Sequence, residues 1–414
     1  MAISRFHPQR IGEQIKVNIL FHHRTRGRGA EGVHIRGVVK GLRQLNHHVD
    51  ILSLPGAEPE AEEKTTSDEK INQAPIKKSK FSILSDLTKH VPEFVFELFE
   101  LAFNLIAVIR LRKTIKEKNI TLIYERYSLF MFASVWWAKR HNLPIVLEIN
   151  DSCQVQRVRS LTFKKLAAKI EAWIFKNATG LVFISTRFKE VAEQAYGEIA
   201  NSVVSPNAAD LDKFIIDETS GLALRSKLGI ENKVVLGYVG AFVHWHGIDW
   251  FVDLACQKLK ETPDLVLLLV GDGVAFEGIK NRVIEAGVES QVILPGKVPH
   301  HEVSSFLSAM DLGILPDSND YGSPMKLFEF MAMGKGMIAP DFSPIAEVVQ
   351  DNATSWLFPA SNKQACIDKV FEIVNDRVAH QEVGKNARSY IENERQWKHN
   401  AEQLLSLVTA SEAD

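Results

Sequence analysis

The stretch "DLGILPDSNDYGSPMKLFEFMAMGKG", Asp311 to Gly336, shows a pattern that is typical of α/β proteins. It begins with a short apolar run of strand type and continues, after a Gly-Ser-Pro, with a series of good helix formers. Ser323 is a favoured N-cap residue, and Pro324 suits the first turn of a helix because its missing N–H would have no partner there. The stretch therefore predicts a strand followed by a loop and a helix.

The first turns of this predicted helix carry one cation and one anion. The amides of Met325, Lys326 and Leu327 have no partner inside the helix, so with the helix dipole and the lysine charge they form an anion site. Glu329 lies one turn further on the same face, where its carboxylate can accept hydrogen bonds from a ribose diol. The arrangement predicts a bound nucleotide diphosphate, although a capped surface helix with a Lys326–Glu329 ion pair explains the same residues.

The bulk properties of the chain exclude several classes of protein. Its 414 residues exceed what one hydrophobic core usually supports, so two domains are expected. A formal net charge of −2 gives no basic field, and nucleic acid is therefore not an expected partner. The three cysteines form no Cys-x-x-Cys motif, the amino terminus has no apolar signal-peptide core, and no apolar run is long enough to span a membrane. These features predict a cytoplasmic protein.

Both halves of the chain show the same alternation of short apolar runs and longer segments of helical period. Continuous apolar strands between helices are typical of parallel sheets that are covered on both faces. We therefore predict an α/β protein with two Rossmann-like βαβ domains that face each other across a deep cleft, where open α/β sheets bind ligands. The strand candidates are "KVNILF", "VDILSL", "TLIYE", "PIVLEI", "GLVFIS", "NSVVSP", "KVVLGYVG", "DLVLLLVG", "SQVILPG", "DLGILP" and "GMIAP".

The boundary between the domains is expected after "VVSPNAADLDKF". This gives an amino-terminal domain of residues 1–212 and a carboxyl-terminal domain of residues 213–391. A final helix at about residues 392–414 is expected to pack back on the first domain. A charged segment at about residues 57–80 has almost no large apolar residue and predicts a mobile loop.

The segment "PEFVFELFELAFNLIAVIRLRKTIKEK" follows that loop and is apolar over most of Phe94 to Ile109. It predicts either a well-buried helix of the first domain or a helix that rests on a membrane surface or an apolar acceptor. In the second interpretation Arg110, Arg112 and Lys113 form its polar end. The sequence leaves both interpretations open.

Two further motifs suggest other ligands but are weaker. "GRGAEG", Gly27 to Gly32, matches G-x-G-x-x-G, yet it does not follow the strand "KVNILF" directly, and Asp50 opens the next strand instead of closing it. A nicotinamide cofactor is therefore disfavoured. "DLD", Asp210 to Asp212, has the form of a metal-binding motif but lies away from the predicted phosphate site, and no histidine pair has metal-ligand spacing. Neither a metal nor a cofactor is expected.

The segment "GSPMKLFEFMAMGKGMIAPDFSPIAEVV" resembles the donor-site motif of family 4 glycosyltransferases, which are retaining enzymes with the GT-B fold. "RGRGAEGVHIRGVVKGLRQLNHHVDIL", "VVSPNAADLDKF", "LGYVGAFVHWHGID" and "LVGDGVAFEGIK" resemble other parts of that family in the same order, so the resemblance covers nearly the whole chain. It implies that the departing phosphate takes the proton of the acceptor and that no protein nucleophile is required. The donor-binding residues that it implies are Gly29, Gly240, Ser323, Met325, Lys326, Leu327 and Glu329.

The chain departs from the family pattern at three places. Tyr321 stands where the first of two glutamates is usual, and Asn150 stands where the first domain often has a histidine. Ala241 and His246 stand where the phosphate loop usually has an arginine and a lysine. These departures leave Lys326 as the main fixed cation that is expected at the phosphates.

The candidate catalytic residues follow from the resemblance and its departures. Lys326 is expected to stabilise the charge that builds on the leaving phosphates, and His246, if it is protonated, is expected to assist. Glu148 and Asn150 are candidates for orienting the acceptor or the sugar from the first domain.

The resemblance implies a hexosyltransferase that moves a sugar from a nucleotide-diphosphate sugar to a glycan or lipid-linked acceptor, as in polysaccharide biosynthesis. Retention of anomeric configuration and independence of metal ions are part of this expectation. The alternatives are a nucleotide-sugar epimerase of the same fold, which needs no acceptor, and a catalytically silent nucleotide-sugar-binding protein. The apolar helix after Pro92 adds peripheral contact with the inner face of a membrane as a further expectation.

Overall fold

The computed structural model describes residues 9–11, 14–27, 29–54, 57, 59–60, 91–157 and 159–410. The chain forms two compact units. The first comprises the chain up to Pro206 and from Trp397 onward, and the second comprises Asn207–Gln396. Most of the charged loop that was predicted at about residues 57–80 lies outside the described residues.

The first unit is a Rossmann-like domain. Its strands are β1 (Gln9–Ile11), β2 (Gln14–Lys16), β3 (Asn18–His22), β4 (His48–Leu52), β5 (Leu122–Arg126), β6 (Ile145–Ile149), β7 (Gly180–Phe183) and β8 (Ser202–Val204). Its helices are α1 (Gly29–Gln44), α2 (Glu93–Lys118), α3 (Ala133–Arg140), α4 (Lys164–Asn177), α5 (Thr186–Tyr196) and, from the end of the chain, α14 (Trp397–Ala410). The six-stranded sheet has the order β4-β3-β5-β6-β7-β8 and is parallel throughout, while β1 and β2 form a separate antiparallel pair.

The second unit is also Rossmann-like. Its strands are β9 (Val234–Val239), β10 (Leu265–Val270), β11 (Val292–Gly296), β12 (Leu312–Ile314), β13 (Met337–Pro340) and β14 (Trp356–Phe358). Its helices are α6 (Glu218–Leu228), α7 (Ile248–Leu259), α8 (Phe276–Ala286), α9 (Val303–Ser308), α10 (Met325–Ala332), α11 (Ser343–Ala346), α12 (Lys363–Ile373) and α13 (Arg377–Glu394). The sheet is parallel, with the order β11-β10-β9-β12-β13-β14, and two apolar clusters form its core.

The strands lie where the apolar runs predicted them. Strands β6 and β10 are buried along their whole length, as expected for parallel strands that are covered on both faces. Every strand candidate named from the sequence is present, and the prediction of two Rossmann-like domains is confirmed. The prediction omitted β14 and the β1–β2 pair, each of which has strands of only three residues.

The expected domain boundaries need correction on both sides. The residues just after Pro206 belong to the second unit because the Asn207 amide donates to the Ser323 hydroxyl oxygen (2.9 Å) and Ala209 forms a β-bridge with Gln396. The last predicted helix, at about residues 392–414, is in fact two helices. Helix α13 ends at Glu394 in the second unit, and α14 begins at Trp397 in the first.

Helix α14 completes the first unit by packing on α1. Gly37 and Gly41 of α1 lie directly against Trp397, so that a side chain at either glycine would collide with it. The edge of the His34 ring meets the Trp397 ring at 5.0 Å between centroids. The two glycines therefore allow the end of the chain to seat on this domain.

Helix α2 is exposed on its apolar side. Glu97 and Asn104 are buried, whereas the side chains of Phe94, Leu105 and Ile109 are 47%, 73% and 70% exposed. The interpretation of α2 as a well-buried helix is therefore wrong for that side. Among the helices that the structure describes, none is both long and apolar enough to cross a bilayer.

Candidate active site

Helix α10 begins at Met325, directly after the loop that follows β12, as the sequence predicts. Its N-cap residue is Pro324, and no side chain caps it. The prediction of Ser323 as the N-cap is wrong because its hydroxyl accepts a hydrogen bond from the Asn207 amide (2.9 Å) and so is turned toward the start of the second unit. The Asn207 side-chain amide also donates to the Ser323 carbonyl (2.5 Å), which fixes the loop before the helix.

The start of α10 leaves two amides available, one fewer than predicted. The Leu327 amide donates to the Pro324 carbonyl at 3.1 Å. The amides of Met325 and Lys326 have no acceptor among the described residues. Two free amides at the positive end of a helix still form an anion site.

The Lys326 side chain lies buried beside these amides, with only 8% of its surface exposed. Its Nζ donates to the Tyr238 hydroxyl at 3.1 Å and lies 4.5 Å from the centroid of the Tyr238 ring. The His246 Nδ1 atom is 3.4 Å away. Burial lowers the pKa of Lys326 to about 7, against the opposing effect of Glu329. A bound anion would favour the charged form of this amine and raise its pKa again.

Tyr238, at the end of β9, contacts both Lys326 and His246 through its hydroxyl group. Its hydroxyl donates to the Ala241 carbonyl at 2.8 Å while it accepts from Lys326. Burial raises the pKa of Tyr238, so the phenol is neutral near pH 7. Sequence reasoning missed this residue. The signal for it was a single hydroxyl at the carboxyl end of the otherwise apolar run "LGYVG".

His246 lies in the short 3-10 turn His244–His246 after β9. Its Nδ1 atom is 3.0 Å from the Ala241 carbonyl, and because a carbonyl only accepts, this contact assigns the hydrogen to Nδ1. Burial, and then the charge of Lys326, lower the pKa of His246 to about 4. The imidazole is therefore neutral near pH 7 in the protein without a ligand, and the assisting role of His246 at the phosphates stays a prediction. In this tautomer its Nε2 atom is a hydrogen-bond acceptor.

Glu329 lies one turn beyond Lys326 on α10 and is half-buried. Burial raises the pKa of its carboxyl to about 7, against the opposing effect of Lys326. No Lys326–Glu329 ion pair occurs among the salt bridges of the described residues, so the alternative of a surface helix with such a pair is wrong. The carboxyl group has no hydrogen-bond partner in the described parts of the chain and is therefore available to a ligand.

Gly240, which follows β9, lies against the lysine. Its φ of +152° is a conformation that favours glycine, and a Cβ atom there would lie 3.3 Å from both Cε and Nζ of Lys326. The second unit thus brings Gly240, His246 and Lys326 together around Tyr238, and the free Met325 amide directly precedes Lys326 in the chain.

The candidates in the first unit lie at the carboxyl end of β6. Glu148 is 1% exposed and accepts hydrogen bonds from Tyr124 (2.8 Å) and Arg126 (2.5 Å), and its other contact is His34 Nε2 (2.7 Å). Burial would raise the pKa of Glu148, but His34 and Arg126 overcome it and lower the pKa to about 2. The carboxylate of Glu148 is thus fully used by its contacts with these three residues and holds their side chains in position. Sequence reasoning missed those neighbours because they come from two other elements, α1 and β5.

Asn150 follows β6 and contacts the same arginine. In the amide orientation that satisfies both groups, its Oδ1 accepts from Arg126 Nε at 2.7 Å.

Gly29 is the first residue of α1, with a φ of +58° and open space where a side chain would be. No observation tests the acceptor-orienting roles of Glu148 and Asn150 or the donor-binding role of Gly29, and they stay predictions.

The expectation that the two weaker motifs bind neither a cofactor nor a metal stays a prediction. Asp50 lies within β4, where it bonds to His48 (3.0 Å) and pairs with Lys118 (3.5 Å). In the described ranges, no three His, Cys, Asp or Glu side chains lie close enough together to hold a metal ion.

Solved structures share this architecture. A structure of HepE from Anabaena in complex with UDP matches with a TM-score of 0.70 at 16% identity, over 95% of this chain and 100% of that one. Sucrose-phosphate synthase from Thermosynechococcus elongatus matches with a TM-score of 0.69 at 17% identity, over 96% and 99%. At these identities the likeness shows the fold, and it defines a protein of the GT-B class with two Rossmann-like domains.

The family models give the narrower assignment. Residues 31–213 match the model described as Glycosyltransferase Family 4, and residues 222–390 match the one described as Glycosyl transferases group 1. Together these matches cover both Rossmann-like domains. The chain therefore belongs to the glycosyltransferases of the GT-B fold.

The relatives are glycosyltransferases by name. Alpha-D-kanosaminyltransferase from Streptomyces kanamyceticus is 20% identical over 59% of this chain and 65% of its own length. The putative teichuronic acid biosynthesis glycosyltransferase TuaC from Bacillus subtilis is 27% identical over 50% of this chain and 51% of its own length. The matches thus span between about half and just under two thirds of these relatives.

Proposed function

We propose that this protein transfers a hexose from a nucleotide-diphosphate sugar to a glycan or lipid-linked acceptor with retention of anomeric configuration. The observation that carries the proposal is the buried amine of Lys326 beside the two free amides at the start of α10. A buried cation without a carboxylate partner is costly in a protein interior unless an anionic ligand uses it. The family membership of both domains supports the same conclusion.

The donor would bind in the second unit through its diphosphate. Lys326 Nζ and the amides of Met325 and Lys326 are the donors that meet the phosphate oxygens. These groups are fixed before the reaction, so they stabilise the charge that builds on the leaving phosphates as the sugar bond breaks. No divalent ion is required in this scheme because the lysine and the helix start neutralise the phosphates.

Glu329 and His246 would bind the hydroxyl groups of the donor. The free carboxyl group of Glu329 is the acceptor for the ribose diol. The neutral His246 presents Nε2 as an acceptor for a hydroxyl of the nucleotide sugar, so its role is positioning and not charge neutralisation. Retention would follow from attack on the same face of the sugar, with the departing phosphate accepting the acceptor's proton.

The nucleotide and the acceptor are proposed from the names of the proteins that this chain resembles. HepE is described in complex with UDP and with UDP-glucose, which makes UDP-sugars the first donors to test. TuaC is named for teichuronic acid biosynthesis, which favours a polysaccharide or its precursor as acceptor. The exposed apolar side of α2 supports peripheral contact with a membrane, where lipid-linked acceptors are found.

The proposal is tested by incubating the protein with UDP-, GDP-, ADP- and TDP-sugars, with and without oligosaccharide or lipid-linked acceptors, in the presence of EDTA. We expect release of the nucleoside diphosphate that depends on acceptor, and an α-linked product from an α-linked donor. An altered nucleotide sugar without acceptor would identify an epimerase. Binding without any turnover would identify a silent binding protein, and loss of activity in EDTA would contradict the metal-independent scheme.

Donor binding is expected to take up a proton above neutral pH. Free Lys326 has a pKa of about 7 and is mostly neutral at pH 8, whereas the form that binds the diphosphate is charged. UDP should therefore bind more weakly as the pH rises through 7 to 8, with uptake of up to about one proton per UDP at pH 8. Calorimetry in two buffers of different ionisation enthalpy measures this uptake. The Lys326→Met variant should show none, and equal uptake in both proteins would assign it to another group.

Glu329→Ala is expected to weaken UDP binding about tenfold or more, as for the loss of a hydrogen bond to a charged group. Because the proposed partner is the ribose diol, binding of 2′,3′-dideoxy-UDP should be equally weak in the wild type and the variant. Calorimetry of both nucleotides with both proteins separates the contact from a general distortion. Equal UDP affinity in the two proteins would remove Glu329 from the donor site.

A further inference from the structure

Helices α2, α3 and α4 lie side by side in the first unit, and polar residues of α2 hold them together. Asn104 Oδ1 accepts from the Phe132 amide (3.1 Å) and from the Ala133 amide at the start of α3 (2.9 Å). The Glu97 carboxylate accepts from the amides of Thr162 (2.6 Å) and Phe163 (2.8 Å) just before α4. Two orphan helix starts are thus capped by the inner side of α2. For this reason the buried side of α2 carries Glu97 and Asn104 in addition to the apolar Ala107, Leu111 and Ile115.

The outer side of α2 is apolar over its first two thirds. Phe94, Leu98, Leu105 and Ile109 are all exposed and recur at helical spacing along one stripe. This stripe is about 22 Å long at 1.5 Å per residue. A soluble helix usually has the opposite pattern, with its apolar stripe on the core. The exposed stripe therefore requires a partner of its own.

The same surface continues into basic and aromatic residues. Beyond Ile109, the outward positions of α2 carry Arg112, Lys113 and Lys116. On α4, the exposed Trp173 lies among Lys165, Lys169 and Lys176, all of which are exposed. Exposed Trp136 on α3 lies on the helix between these two.

Of the carboxylates on the three helices, only Glu117 offsets part of this charge, because it pairs with Lys113. Glu97 and Glu171 are buried within the domain. Glu93 pairs with Arg159 (3.7 Å), Glu100 with Arg24 (3.5 Å) and Glu117 with Lys113 (4.0 Å). The surface therefore presents an apolar stripe, two indole rings and a net positive charge.

We propose that the outer surface of α2, α3 and α4 docks on a lipid bilayer that contains anionic lipids. An interfacial helix buries an apolar stripe at the level of the headgroups, and tryptophan side chains prefer the same depth. Lysine and arginine beside such a stripe are attracted by the negative surface potential of anionic lipids. A second copy of this chain is a poorer partner because two like surfaces would bring their positive charges together. The inference extends the membrane contact of the proposed function, but it stands on α2–α4 alone and not on the donor site.

The test is cosedimentation of the full chain with two kinds of vesicle. One is phosphatidylcholine alone, and the other contains about 30% phosphatidylglycerol as the anionic lipid. We expect binding to the anionic vesicles, weaker binding to neutral ones, and a decrease as salt is raised. The Leu105→Ser/Ile109→Ser and Lys165→Glu/Lys169→Glu double variants should each weaken binding about tenfold or more. These side chains are exposed, so the fold should be retained.

The matched control is Leu222→Ser/Val378→Ser, which removes two equally exposed apolar side chains from the second unit. It should bind vesicles as the wild type does. Equal vesicle binding by the wild type and the α2 variant, or no binding to anionic vesicles, would overturn the proposal. A concentration-dependent dimer that the α2 variant abolishes would assign the surface to a second copy instead. UDP binding should be the same in all these proteins, which keeps failure at this surface distinct from failure of the donor site.

Discussion

Replacing Lys326 with methionine is expected to lower turnover by about two orders of magnitude or more, while the free energy of unfolding stays the same or increases. The loss follows from the role of Lys326 as the one full charge at the proposed phosphate site. The unchanged or increased stability follows from the pKa of Lys326. Burial lowers this pKa to about 7, which is far below the pKa of the amine in the unfolded chain. A folded protein that holds its proton less tightly than the unfolded one is destabilised by that group near neutral pH. Methionine keeps the packing and removes the buried amine.

The measurements are steady-state kinetics with the best nucleotide sugar and denaturant unfolding of the same preparation. Lys335→Met is the matched control. Lys335 follows α10 at its far end, and burial lowers its pKa as well. Its loss should leave turnover unchanged because it follows the far end of α10, a helix about 12 Å long at about 1.5 Å per residue, whereas the free amides lie at its start. Near-normal turnover in Lys326→Met, or equal losses in both variants, would contradict the assignment of the phosphate site.

The sequence was sufficient for the two sheets, apart from the three-residue edge strand β14, because parallel strands that are covered on both faces are continuously apolar. Runs such as "DLVLLLVG" carry that information locally, and the loop of glycine, serine and proline before Met325 carries the start of α10. The cation of the anion site could be predicted for the same reason, since its position follows from the first turn of one helix.

The details of the site depend on contacts that no local pattern contains. Ser323 has the composition of an N-cap, but the Asn207 amide, which is distant in the chain, takes its hydroxyl. His246 was expected to be charged, but burial and Lys326 lower its pKa, and both effects arise only when β9 and α10 come together. Tyr238 could be seen as an odd hydroxyl in a strand, whereas its contact with Lys326 could not.

Helix α2 shows the same limit at the level of a whole element. Its apolar residues suggested a core position, since burial of apolar surface is the usual outcome. The fold instead buries Glu97 and Asn104 because each caps the start of another helix, and this turns the apolar stripe outward. The apolar pattern predicted the helix correctly. The side that faces inward, however, depends on backbone amides that are 28 to 66 residues away along the chain.

Glu148→Gln is expected to destabilise the first unit by about 3–5 kcal/mol, which is the usual result of removing one partner of a buried ion pair. Glutamine keeps the shape of the side chain but leaves the Arg126 guanidinium without its charge partner beside the buried Tyr124 hydroxyl. The pKa leads to a similar figure, since a fall from 4.5 to about 2 corresponds to about 3 kcal/mol. The measurement is urea unfolding of the wild type and the variant at pH 7.

The pH dependence fixes the sign of this effect. The pKa of Glu148 is lower in the folded protein than in the unfolded chain, so its stabilisation is complete above pH 4.5 and is lost as the pH falls toward 2. The wild type should therefore lose stability over that range more steeply than Glu148→Gln, which has no carboxylate there. Similar slopes for the two proteins would contradict the depressed pKa.

The double variant Arg126→Met/Glu148→Gln separates a structural carboxylate from a catalytic one. Removing the arginine as well takes away the stranded charge, so the double variant should recover part of the stability that Glu148→Gln loses. If Glu148 acts only by stabilising the fold through its pair with Arg126, turnover should follow the fraction of folded protein in both variants. If the carboxylate instead orients the acceptor, turnover will remain low at a temperature where the single variant is fully folded, and KM for the acceptor will rise. Full stability in Glu148→Gln would show that the buried pair with Arg126 contributes nothing to the fold.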